Sequence, residues 1–336
     1  MNPPEIKLTH ALGIDIAKAT FQVALMARDR PDIYQEKSFD NTSKGHAALL
    51  KWLGQQRVDI THLHACMEAT GPYGDALACR LDGKLARLSV ENPRRIKGYA
   101  ACRNQRSKSD PADARLIAHY CASQRPPAWQ RPSAAQFKIR ALSRRLDSLK
   151  IQINAEKNRL GLTIDPFVKR DLKAHLQFLQ RHIQSIEAEL LSTIQSDAEL
   201  SAKHQLLCGI KGVGSLSGAI ILAEPPDLTV LRDARQLAAY AGVTPRHKQS
   251  GTSGSNYTPM SKAGSSRLRK ALFFPAMSAM RFNPICKSFA TRLTEKGKKS
   301  IVVIGAIMTK LLHIMFGILR SGQPFNPSHL TQPKTA

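Results

Sequence analysis

Hydrophobic positions in the first 125 residues follow the short period of strands and the longer period of helices in turn. The apolar run Leu12–Met26 predicts two short strands joined by a turn, and the start Asn41-Thr-Ser-Lys-Gly predicts a capped helix that ends near Gln55. The pattern then predicts a strand at 62–68, a helix at about 73–81 and a strand at 85–90. This alternation of strands and helices predicts an α/β layer with parallel strand pairing.

The next part of the chain, 126–200, has a longer apolar period. Three prolines within Ser123–Pro132 interrupt regular structure before it begins. Two runs with heptad-like spacing follow, separated by a break at 161–166: Ile139, Leu142, Leu146, Leu149, Ile153 and Leu160, then Leu172, Leu176, Leu179, Ile183, Ile186 and Leu190. They predict two long amphipathic helices that form an antiparallel hairpin, a coiled coil with another subunit, or part of an ordinary bundle. In each case the segment is a spacer or an oligomerisation arm.

The last part, 201–336, is predicted to be mostly helical. Leu206–Leu222 resembles a helix-hairpin-helix motif, and a helix at 236–245 ends at a Gly and Pro stop. A polar loop at 246–257 leads to an apolar helix, and a further apolar helix is expected at 301–319. The sequence therefore divides into an α/β domain (1–125), a helical or coiled-coil spacer (126–200) and a mostly α C-terminal domain (201–336).

Four carboxylates of the first domain stand within a predicted strand, at the end of a strand or at the start of a helix. Asp15 lies inside an apolar strand, where a carboxylate is costly unless it is paired or bound to a metal. Glu68 ends a later strand, and Asp110 and Asp113 lie three residues apart around Pro111. We expect Asp110 to be the N-cap and Pro111 the first helical residue, which places both carboxylates at the start of one helix. Oxygen ligands of this kind suit a hard divalent cation.

Each of these acids has a plainer interpretation when it is taken alone. Asp15 could be a turn residue, Glu68 an ordinary strand-end charge, and the Asp110/Asp113 pair a favourable charge at a helix start. Together, the four resemble an RNase H-like site, in which carboxylates meet at one edge of a sheet. Two Mg²⁺ ions roughly 4 Å apart would then activate the attacking group and stabilise the leaving oxygen.

The charge of the chain points to nucleic acid as its partner. Lys and Arg total 50 against 25 Asp and Glu, which gives a formal charge of +25 and a pI near 10.2. Such a charge fits nucleic acid or an anionic membrane surface. We identify no apolar run of ~20 residues and no signal-peptide pattern, so we expect no membrane association. The six cysteines form no Cys-x-x-Cys pair, which favours reduced thiols and a cytoplasmic location.

Candidate nucleic-acid contacts occur near the paired aspartates and throughout the last domain. The Gly209–Gly214 turn would present backbone N–H groups and a helix N-terminus to a phosphate, although such a turn also serves packing alone. The candidates are Arg106, Lys108, Arg115, Lys211, Gly212, Gly214, Arg246, Lys248, Lys262, Arg267, Arg269 and Lys270.

The loop at 246–257 has two interpretations. Its Ser and Gly content is typical of a flexible linker. Alternatively, a serine hydroxyl near Arg246 and Lys248 attacks a phosphate that these cations steer and stabilise. The spacing does not select Ser250 over Ser253 or Ser255.

The motifs together resemble those of the bacterial insertion-sequence transposases called IS one-ten and their pilin-gene invertase relatives, over nearly the whole chain. The motifs are Gly13-Ile-Asp15, Glu68-Ala-Thr-Gly, Lys108-Ser-Asp110-Pro-Ala-Asp113-Ala-Arg115, Gly209-Ile-Lys-Gly-Val-Gly214, Ala241-Gly-Val-Thr-Pro245, Gln249-Ser250-Gly251 and Met260-Ser-Lys-Ala-Gly264.

This resemblance implies a RuvC-like first domain whose tetrad is Asp15, Glu68, Asp110 and Asp113, and a C-terminal transposase domain whose catalytic serine is Ser250. It further implies two Mg²⁺ ions, a covalent phosphoserine link to double-stranded DNA, a noncoding bridge RNA as guide, and a dimeric or tetrameric assembly. Two rival functions remain at this point: a metal-dependent junction nuclease that uses water, and a non-catalytic nucleic-acid-binding protein.

Overall fold

The computed structural model describes residues 7–69, 71–103, 109–225, 231–246, 249–250, 253–254 and 258–327, with only the backbone of 249–250 and 253–254. The chain divides into two compact units, Met1–Arg131 and Pro132–Ala336. The helices predicted as a spacer therefore belong to the same compact unit as the C-terminal helices.

The first unit is built on a mixed five-stranded sheet. Its strands are β1 (His10–Ile16), β2 (Thr20–Ala27), β3 (Gln35–Asp40), β4 (Leu63–Glu68) and β5 (Arg87–Glu91). Their order across the sheet is β3-β2-β1-β4-β5. The pairs β1–β4 and β4–β5 are parallel, whereas β1–β2 and β2–β3 are antiparallel. The expected parallel pairing is thus confirmed for the half of the sheet that contains β1, β4 and β5.

Helices cover both faces of this sheet. They are α1 (Ser43–Gln55), α2 (Asp75–Leu81), α3 (Pro93–Cys102) and α4 (Asp110–Gln124). Residues of α1 and α2 pack with Leu12 and Ile14 on one face, and residues of α3 and α4 pack with Ala11 and Cys66 on the other. Since side chains alternate along a strand, each central strand contributes to both cores.

Two elements of the first unit were absent from the sequence-based prediction, and one boundary was wrong. Strand β3 was missed because only Phe39 of its six residues is buried, so it lacks an apolar period. Helix α3 was missed because Ile96 is its one buried residue. Helix α4 begins at Asp110 with Ser109 as N-cap, and not with Asp110 as cap. Pro111 is tolerated in this first turn because the N–H it lacks would have no helical partner.

The proline-rich segment after α4 lies beside the outer edge of the sheet. The Trp129 N–H donates to the Leu88 carbonyl at 2.7 Å, and the Ser89 hydroxyl donates to the Pro127 carbonyl at 2.7 Å. Because an exposed strand edge invites pairing with other chains, this segment protects β5.

The second unit begins with a long antiparallel helical hairpin. Helix α5 (Ala134–Leu162) starts with a capping box made by Ser133 and Gln136, and α6 (Pro166–Gln195) starts at Asp165. Their facing sides share a core that includes Leu149, Ile153, Leu176 and Leu179. The hairpin alternative therefore describes how these two helices pack within the chain.

The remaining helices form a compact bundle. They are α7 (Ala198–Cys208), α8 (Ser215–Ala223), α9 (Ala234–Ala241), α10 (Ser266–Phe282), α11 (Pro284–Glu295) and α12 (Ser300–Ser321), with a two-stranded ribbon of β6 (Gln249–Ser250) and β7 (Ser253–Gly254). Within the described residues, α12 alone is long and apolar enough to cross a membrane. Half of its apolar window is buried, and Ile307, Leu311 and Met315 lie in the core of the bundle. The buried residues of α12 pack it as a core helix of this bundle.

Candidate active site

Two of the predicted carboxylates lie at matching levels on neighbouring parallel strands. The register of β1 and β4 pairs Ile14 with Met67, and the residues that follow this pair are Asp15 and Glu68. Both strands end within one residue of this level. Parallel strands lie about 4.8 Å apart, so the backbone brings these two acids to one edge of the sheet.

Strand alternation places these acids on the face that α4 covers. Ile14 and Met67 belong to the core on the α1 and α2 face. Asp15 and Glu68 follow them directly and therefore point to the opposite face. Gly13 precedes Asp15 by two residues and shares this second face.

Helix α4 runs antiparallel to β1 and β4 on that face. A Cβ atom at Gly13 would lie 2.1 Å from the Ala114 carbonyl oxygen and 2.2 Å from the Ala118 nitrogen, so helix and strand are in backbone contact there. Farther along α4, the Cys121 thiol donates to the His64 carbonyl at 3.3 Å. His64 lies two residues earlier in β4 than Cys66, the residue that pairs with Gly13, so α4 runs opposite to the strands. The start of α4 consequently lies toward the strand ends that carry Asp15 and Glu68.

The first turn of α4 brings the other two acids to the same edge. Asp110 lies one helical turn before Ala114 on the side that faces the sheet, and Asp113 directly precedes Ala114. Asp15, Glu68 and Asp113 are half-buried, whereas Asp110 is exposed.

The type of donor suits a hard divalent cation such as Mg²⁺, because all four are carboxylates. Their side chains are not already gathered around one point: among the described residues, no three His, Cys, Asp or Glu groups are placed to hold a metal ion. The fit therefore lies in the type of donor and in the backbone arrangement.

A fifth acid at this edge was missed by the sequence analysis. Glu91 ends β5, pairs with Glu68 in the strand register, and is buried. Its Oε2 accepts hydrogen bonds from the Tyr120 hydroxyl at 3.2 Å and from Arg95 Nη1 at 3.4 Å. Burial, and then the Glu91 charge, raises the pKa of Tyr120 to about 12, so this hydroxyl remains a donor. Glu91 thus joins β5, α3 and α4 beside Glu68 of the predicted tetrad. The sequence feature that could have identified it is its position at a strand end, which matches that of Glu68.

The described basic residues near the edge are partly engaged by acids. The Arg115 guanidinium donates to both carboxylate oxygens of Glu36, at 2.6 and 2.5 Å, and lies 5.8 Å from the centre of the Tyr34 ring. The Glu36 carboxylate raises the pKa of Arg115. Arg106 and Lys108 lie outside the described residues.

The predicted phosphate-binding turn lies between α7 and α8. Lys211 and Gly214 are exposed, and Gly214 is the N-cap of α8. Gly212 has φ +106°, and a Cβ there would lie 2.6 Å from the Ala279 nitrogen of α10. Gly212 thus permits close packing of the turn on α10, while Lys211 and Gly214 face solvent.

The backbone of the serine loop is partly regular. Gln249 pairs with Gly254 and Ser250 with Ser253, so the described part of the loop is a small ribbon and not an extended linker. The two ends of the loop are held together by an antiparallel β-bridge between Pro245 and Met260 and by a hydrogen bond from the Arg246 N–H to the Pro259 carbonyl at 2.8 Å. The side chain of Ser250 is outside the description, and so are Lys248 and Ser255.

The other predicted cations of the second unit differ in their surroundings. Arg246 and Lys262 are exposed. Arg267 and Lys270 lie 4.0 and 3.7 Å from Asp147 on α5, on the exposed side of α10. Arg269 donates to the Ala241 carbonyl at 2.9 Å and so caps α9. The local role of Arg269 is thus to stabilise a helix end.

Comparison with known proteins places all of these motifs in one family. A transposase model named for the DEDD enzymes of IS110 matches residues 12–166, and the model "Transposase IS116/IS110/IS902 family" matches residues 204–291. The first range contains the four tetrad residues and the second contains Ser250.

Full-length relatives agree. The pilin gene-inverting proteins of Moraxella bovis and Moraxella lacunata are 33% and 32% identical to this chain over 94% of its length and 97% of their own. An insertion element IS110 protein of Streptomyces coelicolor is 26% identical over 57% of this chain and 45% of its own length. The chain therefore belongs to the IS116/IS110/IS902 family of transposases and DNA invertases, enzymes that cut and rejoin DNA.

Proposed function

We propose that this transposase cuts and exchanges DNA strands with a RuvC-like, RNase H-like carboxylate site and a serine nucleophile. Asp15, Glu68, Asp110 and Asp113 hold Mg²⁺, as two ions, and Ser250 attacks the scissile phosphate. The observation that carries the metal site is the backbone arrangement: Asp15 and Glu68 end adjacent parallel strands, and α4 brings Asp110 and Asp113 to the same edge. The strand order β3-β2-β1-β4-β5 further supports the RNase H-like assignment.

The proposed reaction is a transesterification. The Ser250 oxygen forms a bond to phosphorus as the bond from phosphorus to one deoxyribose oxygen breaks. The serine proton leaves to a base or water, and the departing oxygen takes up a proton. Bound Mg²⁺ supplies Lewis-acid polarisation and charge stabilisation at the phosphate. Because one phosphodiester replaces another, no external energy source is needed, and a later attack by a DNA hydroxyl releases the serine.

The partners in this proposal are nucleic acids and other copies of the chain. The element ends and target are double-stranded DNA, a noncoding bridge RNA guides their pairing, and the enzyme acts as a dimer or tetramer in the cytoplasm. The +25 formal charge supports the nucleic-acid part. The family resemblance of the motifs is the support for the RNA guide, the oligomer and the choice of Ser250.

The test is a denaturing-gel assay for a covalent protein–DNA adduct. The reactions contain Mg²⁺, element-end DNA and RNA transcribed from the flanking noncoding region, with wild type beside Ser250→Ala, Ser253→Ala and Asp110→Asn. We expect an adduct with wild type and with the matched control Ser253→Ala, and none with the other two variants. Cleavage that persists without adduct in Ser250→Ala would identify a water-using nuclease and overturn the serine assignment.

A further inference from the structure

One surface of the second unit combines exposed aromatic rings with cations at helical spacing. Phe167 and Arg170 lie three residues apart near the start of α6, and Phe178 and Arg181 repeat this arrangement eleven residues later. Eleven residues are close to three helical turns, so both pairs face the same way. Leu172, Leu176 and Leu179 take the opposite side of α6 and are buried, the last two in the core of the hairpin.

We name this surface the α6 ladder; it consists of Phe167, Arg170, Phe178 and Arg181 with the nearby Lys169 and Lys173. Its two rings are exposed. Phe167 is 70% exposed and Phe178 is 48% exposed. Both rings are therefore open to a ligand that approaches this face of α6. On the flank of α6 next to the rings, Lys169, Arg170 and Lys173 border an open depression of the helix surface, which the two rings themselves do not line.

The ladder is held in place by neighbouring groups. The Arg170 guanidinium lies 5.7 Å from the centre of the Phe167 ring. The Phe178 ring lies between two histidines, 4.4 Å from His182 and 6.4 Å from His175. His175 Nδ1 in turn lies 3.5 Å from Oε1 of Glu156, a buried residue of α5. The rings are thus arranged before any partner binds.

We propose that the α6 ladder binds a single-stranded segment of nucleic acid, with bases stacked on Phe167 and Phe178 and phosphates held by the cations along one flank of the two rings. Bases offer a π-face to an aromatic side chain whatever their sequence, and Lys and Arg neutralise phosphates. The two rings are about 16 Å apart along the helix, which is the length of about five stacked nucleotides. The proposal rests on the proposed function in that it supplies a further contact for the nucleic acids of the reaction.

A second copy of the chain fits this surface less well. Two-fold pairing of the ladder with itself would bring together four cations from each copy, with Asp171 as the one exposed carboxylate between the rings to balance them. The acids on the later turns of α6 do not offer a complementary partner either, because Glu187 lies 3.4 Å from Lys150 and Glu189 is paired with Lys138, both on α5. Nucleic acid is the occupant that satisfies both the rings and the charges.

The test measures binding of fluorescein-labelled 30-nucleotide probes to the full chain by anisotropy, as single-stranded RNA, single-stranded DNA and duplex DNA. In Phe167→Leu/Phe178→Leu, the apolar volume is kept but the π-face is lost. We expect this variant to lose roughly five- to 150-fold in affinity for single strands. Phe167→Tyr/Phe178→Tyr keeps both π-faces and should bind single strands as wild type does. Lys169→Gln/Arg170→Gln/Lys173→Gln should lower the slope of log affinity against log salt by up to ~2.

Matched controls come from the tip of the same hairpin, where Leu162 and Ile164 are 85% and 89% exposed. Leu162→Ser/Ile164→Ser should leave single-strand affinity unchanged. Single-strand affinity within twofold of wild type in the Leu variant, or a change in self-association by sedimentation equilibrium instead, would overturn the proposal. If the ladder variants bind normally while wild type still cleaves DNA with Mg²⁺, only this proposal fails. If wild type neither binds nor cleaves, the proposed function fails as well.

Discussion

Gly13 and Ala114 are in direct backbone contact, because a Cβ atom at Gly13 would lie 2.1 Å from the Ala114 carbonyl oxygen. This contact ties the strand that carries Asp15 to the helix turn that carries Asp110 and Asp113. Two carboxylate pairs far apart in the sequence are thereby brought to one edge of the sheet.

We predict that Gly13→Ala destabilises the first unit and abolishes Mg²⁺-dependent DNA cleavage. Helix and strand must separate to admit the methyl group, at a cost of about 1–3 kcal/mol, and the acids of α4 then shift from those of the sheet. Both tryptophans of the chain, Trp52 and Trp129, pack in the core of the first unit, so their fluorescence in urea reports on this unit.

The matched control for that prediction is Gly54→Ala. No described atom lies within 4 Å of the position its Cβ would take, and Gly54 is within α1, where alanine is favoured by roughly 0.5–1 kcal/mol. A Gly13→Ala protein as stable and active as this control would show that the contact is not required.

We predict that Glu91 supports the site through its hydrogen bonds, without acting as a ligand. Glu91→Ala leaves the buried Tyr120 hydroxyl without its partner, at a cost of about 1–3 kcal/mol by tryptophan fluorescence in urea. Glu91→Gln keeps an acceptor and should cost less, and it should retain DNA cleavage within about tenfold. Glu68→Gln should abolish cleavage with little loss of stability. Equal loss of cleavage in both Gln variants would instead place Glu91 among the metal ligands.

We predict that the stability of the first unit falls in mild acid because of His64. This imidazole is fully buried; its Nε2 lies 2.8 Å from the Ser89 hydroxyl and its Nδ1 lies 3.4 Å from Arg28. Burial, followed by the charges of Arg87 and Arg28, lowers the pKa of His64 to about 3. Between pH 6.5 and 3 the unfolded chain binds a proton that the folded chain does not, so stability decreases as the pH falls through this window.

The contribution of His64 to this loss is about 1.4 kcal/mol between pH 7.5 and 5.5. The measurement is urea unfolding by tryptophan fluorescence at both pH values for wild type and His64→Gln. The variant should lose less stability than wild type by about this amount, and His182→Gln in the second unit should behave as wild type. An identical pH dependence in His64→Gln would contradict the assignment.

We predict that Glu36→Gln tightens duplex DNA binding. The Glu36 carboxylate accepts from Nε and Nη2 along one edge of the Arg115 guanidinium, so its neutralisation releases a cation for a phosphate. The expected gain is roughly fivefold at low salt, which corresponds to ~1 kcal/mol for one charge pair in water. The pair is half-exposed, so stability should change by less than ~1 kcal/mol. Unchanged affinity in both Glu36→Gln and Arg115→Gln would remove Arg115 from the proposed DNA contacts.

Local pattern was sufficient for most of the helices and strands. The continuous apolar runs of β1, β2 and β4, the capped start of α1 and the apolar periods of α5, α6 and α12 are short-range properties of the chain. Where burial gives no period, as in β3 with Phe39 alone and α3 with Ile96 alone, the prediction failed. β3 forms because it pairs with β2, and α3 forms because it packs on α4. These contacts join residues that are distant in the sequence, so no local pattern predicts them.

By itself the sequence indicated the family and four candidate carboxylates, because residue types and spacing are written in the chain. Only the tertiary structure decided that Asp15 and Glu68 share a level of the sheet, that the start of α4 lies at that level, and that Glu91 lies buried beside Glu68. Register and helix direction depend on contacts such as that of Gly13 with Ala114, which join residues about a hundred positions apart, and no local period encodes them.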